Sequence, residues 1–139
     1  MPISVLVLDP EQVFQTSVAR KLRLHDIRVL TRPGFEGLTT LLESFHFDTL
    51  LLDAELLRAG LDPLREVVEA NPAMAVILTA SSGDIALVRQ AGALIDDCLV
   101  KPIHPNALLA SVERLAGDKP ECAGRPDACP AQNPSSGKP

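Results

Sequence analysis

The sequence predicts an α/β domain, doubly wound around a parallel sheet of five strands with five helices. Two observations predict it. Short apolar runs of strand length alternate with segments of helical period over residues 2 to 117. The runs are also mostly continuous in Val, Ile and Leu instead of alternating with polar residues, as in strands buried on both faces.

The first run, Val5–Leu8, ends on Asp9, and the next residue is Pro10. Val13, then Ser17 or Val18, then Leu22 mark the first helix, with Pro10 in its first turn, where a missing N–H goes unused. Ile27–Leu30 is the second strand, and Leu38, Leu41, Leu42 and Phe45 mark the second helix. Thr49–Leu52 is the third strand and ends on Asp53. Leu64, Val67 and Val68 mark the third helix. The fourth strand, Ala75–Leu78, is followed by Thr79. Ile85 and Val88 mark the fourth helix, with Ser82 as a cap before it and Gly92 at its C-terminal stop. Cys98–Val100 is the fifth strand, followed by Lys101. Leu108, Val112 and Leu115 mark the fifth helix, and Pro105 suits its first turn.

Five such units joined by right-handed crossovers favour the flavodoxin-like strand order 2-1-3-4-5. Strands 1 and 3 are then neighbours, and the site lies beyond the carboxyl ends of the strands. The residues that end the runs, Asp9, Asp53, Thr79 and Lys101, come to one edge of the sheet. Each alone reads as a turn former or surface residue. Together they supply two carboxylates, a hydroxyl and an ammonium, the set that phosphoryl transfer to a carboxylate needs, with Mg²⁺ as a fitting cation.

The stretches VLVLDPE, TLLLDAE, VILTA and DDCLVKP stand in the order and near the spacing of response-regulator receiver domains of two-component signalling, which residues 3 to 116 resemble. The resemblance implies Asp53 as phospho-acceptor, Asp9 as one of an acidic pair, Thr79 as switch hydroxyl and Lys101 as the lysine before a cis proline, Pro102. It also implies a Mg²⁺ ion, held by Asp9 and Asp53 with Glu55 (backbone or side chain) and Glu11 as further candidates. A histidine kinase or phosphotransfer protein is the implied donor. A downstream protein would meet the fourth and fifth helices with the fifth strand, residues 84 to 115.

The chain departs from that pattern at two positions. Pro10 stands where the second acid of the pair is usual, which removes a metal-binding carboxylate and predicts weak Mg²⁺ binding. Cys98 stands where an aromatic switch residue is usual, and its plain reading is a small buried apolar side chain. Two readings follow: a phosphorylation-dependent switch, not an enzyme, or a pseudo-receiver whose protein binding is independent of phosphate. Asp53, Thr79 and Lys101 favour the first.

Composition narrows the remaining classes. With 139 residues, 46% of them hydrophobic, one domain is expected. A net charge of −5, without a long cluster of Lys or Arg, argues against nucleic acid. The apolar runs are too short to span a membrane, no signal segment leads the chain, and three cysteines do not make a secreted framework, so a cytoplasmic protein is expected. No phosphate-cradling glycine motif is present. Residues 118 to 139 hold five of twelve prolines and few large apolar side chains, so a disordered tail is expected after a domain at 1–117, too short for an output domain. Its Cys122 and Cys129 lack companion ligands at zinc-like spacing.

Overall fold

The structure, a computed structural model, describes residues 2–122, with side chains through Ala116. Ten main elements alternate along it: β1 (Ser4–Leu8), α1 (Gln12–Arg23), β2 (Arg28–Arg32), α2 (Leu38–Ser44), β3 (Thr49–Asp53), α3 (Asp62–Ala70), β4 (Ala75–Ala80), α4 (Ile85–Ala91), β5 (Asp97–Val100) and α5 (Pro105–Cys122). Single 3₁₀ turns at Ala54–Leu57, Ser82–Asp84 and Gly92–Leu94 join some of them. The strands form one parallel sheet in the order β2-β1-β3-β4-β5. That is the expected topology, with β1 and β3 adjacent.

Side chains alternate across a strand, so each strand feeds two cores. Leu6 and Leu8 of β1, Leu50 and Leu52 of β3, and Val76, Leu78 and Ala80 of β4 pack against α2, α3 and α4. Val5, Val7, Leu51, Ala75 and Ile77 face the other way, against Val18 and Leu22 of α1 and Leu108, Val112 and Leu115 of α5. The central β1, β3 and β4 side chains are almost wholly buried, each large one contributing about 2 kcal/mol relative to exposure. By the same alternation, Asp9, Asp53, Thr79 and Lys101 share the parity of Val7, Leu51, Ile77 and Leu99, on the α1/α5 side.

Outlying strand ends are held by carboxylates. Asp48 accepts the Ser4 N–H at 2.8 Å and Asp96 the Val76 N–H at 2.8 Å. Asp97 accepts from Ser111 and, at 3.0 Å, from Arg114, which ties α5 to β5. At the free edge of β2, Arg23 Nη2 donates to the Val29 carbonyl at 3.0 Å.

Several local expectations are corrected. Val13 is 73% exposed, because the buried stripe of α1 is Phe14, Val18 and Leu22 at strict four-residue spacing and Val13 lies a third of a turn away. Phe45 is also exposed: α2 ends at Ser44, the backbone turns extended, and Phe47 enters the core instead. Pro10 precedes the helix; α1 starts at Gln12 with Glu11 at its cap. Ser82 is not a cap but the first residue of a 3₁₀ turn. Gly92 ends α4 with a negative φ, so no left-handed stop is used there. Helix α5 runs through Gly117 to Cys122, past the expected domain end, and the rest of the expected tail, with Cys129, lies outside the described residues.

Thr49 is fully buried on β3, and its hydroxyl has no hydrogen-bond partner among the described residues. A buried hydroxyl without a partner costs about 1 kcal/mol or more. Thr49→Val keeps the shape and removes that cost, so thermal unfolding of the variant should rise by about 4 °C; a fall would show that the hydroxyl is bonded in solution.

Candidate functional site

The ends of β1, β3, β4 and β5 converge because the sheet is parallel and in register: Leu8 lies opposite Leu52, Asp53 opposite Thr79, and Thr79 opposite Leu99. Lys101 follows directly, its N–H bonded to the Ala80 carbonyl at 2.8 Å. Asp9, Asp53 and Thr79 are all buried despite their polarity.

The two carboxylates are built alike. Asp9 Oδ1 accepts the N–H of Glu11 at 2.8 Å, and Asp53 Oδ1 accepts the N–H of Glu55 at 3.1 Å. Each is a turn closed by an Asp side chain on the amide two residues on. Pro10 is the middle residue of the first such turn, where an N–H is not needed; this accounts for a proline directly after a buried carboxylate. Each Asp thus has one oxygen fixed to the backbone and one left over. Both leftover oxygens meet Lys101: Nζ lies 3.1 Å from Asp9 Oδ2 and 3.2 Å from Asp53 Oδ2. Nζ also sits 4.1 Å from the centre of the Phe14 ring on α1, a cation–π contact. The peptide before Pro102 is cis.

Burial raises the Asp9 carboxyl above its ordinary range; the Glu11 N–H and Lys101 oppose this, and the nearby Asp53 charge adds to it. Burial alone would lower Lys101, but its hydrogen bond to Asp9 and the field and hydrogen bond of Asp53 together raise it. Counted formally, two carboxylates and one ammonium put one net negative charge at the end of the sheet.

Thr79 Oγ lies 3.5 Å from the Leu52 carbonyl, the outer limit of a hydrogen bond, so its hydroxyl has little to lose by turning to another acceptor. Glu11 and Glu55 are exposed; what they bring to the site is their backbone N–H. Among the described residues no group of three or more His, Cys, Asp or Glu could hold a metal ion. Asp9 and Asp53 alone supply hard oxygen donors in the small number that Mg²⁺ accepts, since it keeps most of its waters. Cys98 is half-buried beside the α2–α4 core.

Three residues went unread in the sequence. Phe14 was visible through its four-residue spacing to Val18 and Leu22. Arg58 and Asp84, which form a bidentate pair at 3.0 to 3.2 Å, stand 26 residues apart in two loops, and no local signal joins them.

The match to a family profile described as "Response regulator receiver domain" covers residues 5–113. No curated protein matches the chain. Among solved structures, a response regulator receiver domain protein from Clostridium thermocellum is 26% identical, with TM-score 0.75, covering 86% of this chain and 98% of that one. A CheY-like receiver domain protein from Methanospirillum hungatei is 21% identical, with TM-score 0.72, covering 87% and 98%. The signal receiver domain of an HD domain-containing protein from Pseudomonas fluorescens is 20% identical, with TM-score 0.77, covering 89% and 93%. At 21% and 20% identity, the last two speak to the fold alone.

Removing Lys101 would leave two buried carboxylates facing each other. Lys101→Met should cost about 3 kcal/mol at pH 7, the lower end of what a broken buried pair costs. With its lysine gone, Asp9 in the folded variant holds a proton more readily still than in the unfolded chain, so the variant gains stability as pH falls. Urea unfolding of both proteins should show the gap narrowing as pH falls below neutrality; a gap that widens on acidification would refute the arrangement.

Proposed function

Because the chain belongs to the response regulator receiver domain family, we propose that it is a phosphorylation-dependent switch of a two-component phosphorelay, accepting a phosphoryl group on Asp53 from a histidine kinase or phosphotransfer protein. The observation that carries this reading is the shared ammonium: Lys101 Nζ bridges Asp9 Oδ2 and Asp53 Oδ2 beside the weakly held Thr79 hydroxyl. The set has a nucleophile, a cation for the incoming oxygens and a hydroxyl donor within one edge of the sheet.

In the step proposed, a carboxylate oxygen of Asp53 attacks the phosphorus of a phosphohistidine. A P–O bond forms as the P–N bond breaks, and the imidazole leaves with the electron pair and takes a proton from solvent. Lys101 pairs with the phosphoryl oxygens as they arrive. Thr79 gives up its long contact with the Leu52 carbonyl and donates to one of those oxygens. Asp9 and Asp53 would hold Mg²⁺, which when bound supplies positive charge against the phosphoryl group. The face formed by α4, β5 and α5, with Val100 50% exposed on it, is the proposed contact for a downstream protein.

A second reading, a pseudo-receiver that binds its partner without phosphate, is favoured by Pro10, which brings no oxygen to the acidic cluster, and by Cys98 in place of an aromatic. One titration separates the two. With a small-molecule phosphodonor and rising Mg²⁺, mass spectrometry of the native chain should show one added phosphoryl group, lost in Asp53→Asn. Pro10→Asp should bind Mg²⁺ more tightly by at least about 1 kcal/mol. A native chain that stays unmodified while Pro10→Asp is modified at Asp53 would establish the pseudo-receiver.

A further inference from the structure

Among the described residues, the most deeply buried carboxylate outside the acidic cluster is Asp84, at 5% exposure. It sits at the end of the 3₁₀ turn that leads into α4. Arg58 closes on it from the loop after β3: Nε and Nη2 meet Asp84 Oδ1 at 3.1 and 3.0 Å, and Nη2 meets Oδ2 at 3.2 Å. The guanidinium itself is mostly exposed, with 59% of its side chain open to solvent.

The placement of the pair is informative. Asp53 and Thr79 are register partners on β3 and β4, and Arg58 and Asp84 each follow one of them by five residues. The pair therefore clasps the loop leaving Asp53 to the loop leaving Thr79, just before α4. Arg58 also lies within the field of Glu55 and Asp53: its guanidinium is held above its ordinary value by the hydrogen bond and charge of Asp84 first, with those two carboxylates adding to it.

We propose that Arg58 is a two-position cation, holding Asp84 while Asp53 is a plain carboxylate and turning to the phosphoryl group once Asp53 carries one, so that α4 is released. This rests on Asp53 being the phospho-acceptor. The physical basis is competition for one fork-shaped cation. Phosphorylation replaces a single negative charge at Asp53 with nearly two, on three oxygens that a guanidinium can grip bidentately. The guanidinium is open to solvent on its outer side, so it leaves no buried cation behind on moving; the cost falls on Asp84. Asp84 loses its partner, and a buried carboxylate without one is strongly disfavoured, so the turn at Ser82–Asp84 must open to hydrate it. The start of α4 moves with that turn. Arg58 is thus a positioning residue, acting on α4 through Asp84, in a chain where Cys98 leaves no aromatic on β5 for such coupling.

The test is amide exchange over residues 84–91 of the full chain, with and without acetyl phosphate and Mg²⁺, while mass spectrometry of the same samples reports the loaded fraction. Loading should speed exchange there by roughly tenfold in the native protein. Arg58→Gln should exchange fast before loading and change no further on it. Asp84→Asn, which keeps the shape without the buried charge, covers the case in which Arg58→Gln does not fold, and its exchange should likewise be indifferent to loading. Unchanged protection on loading of the native chain, or a loading effect that persists in Asp84→Asn, overturns the proposal. If the native chain takes no phosphoryl group, the reading beneath it fails as well, which the mass measurement shows directly.

Discussion

A single ammonium between two buried carboxylates organises this molecule. Asp9 and Asp53 end adjacent parallel strands, so the topology forces their charges together. Without Lys101 the sheet would terminate in two desolvated anions, an arrangement that costs more than any one apolar contact contributes. Lys101 can serve only because β5 delivers it beyond Ala80 and because Phe14 offers its ring face below Nζ. Sheet order, the first turn of α1 and the path of the chain at Pro102 are therefore conditions for one ion triad. The core supplies the stability that makes this possible, with Leu50, Leu51 and Leu52 packing opposite faces of the same strand that ends in Asp53.

The twin Asp turns give the site its directionality. Each carboxylate spends one oxygen on an amide two residues ahead, which fixes the side chain and aims the other oxygen at Lys101. Pro10 fits this geometry and simultaneously removes a third acid. The chain has a well-ordered pair of carboxylates and a lean charge balance, one net negative charge where an additional Asp would give two. In the switch proposed above, the same balance makes an arriving phosphoryl group a large relative change, one that would draw on Arg58, the cation paired with Asp84 ahead of α4.

What was legible in the sequence follows from how local each signal is. The strands were readable because burial on both faces writes itself as continuous Val, Ile and Leu, and the order of strands followed from the repeated β-α alternation. Asp9, Asp53, Thr79 and Lys101 could be placed together because they end the runs that the topology aligns. Helix faces were harder to read. Val13 and Phe45 look like core residues by type, yet one lies off the stripe and the other falls where the chain has left the helix. Ser82 and Gly92 carry the right chemistry for caps, and the 3₁₀ turns around α4 overrode it. Arg58 and Asp84 were illegible for a different reason: their pairing is a property of two loops brought side by side by β3 and β4.

The free edge of β2 has a consequence for how copies of this chain behave when crowded. In a parallel sheet the outer strand presents alternate amides and carbonyls to solvent, a template on which another extended chain can add. Here the Val29 carbonyl is taken by the guanidinium of Arg23 from the neighbouring helix, and β2 begins and ends on the exposed cations Arg28 and Arg32. A second molecule approaching strand to strand meets like charges and an occupied acceptor. The β2 edge thus carries its own guard against strand addition, made from side chains that have no part in the acidic cluster, so the two can be altered independently.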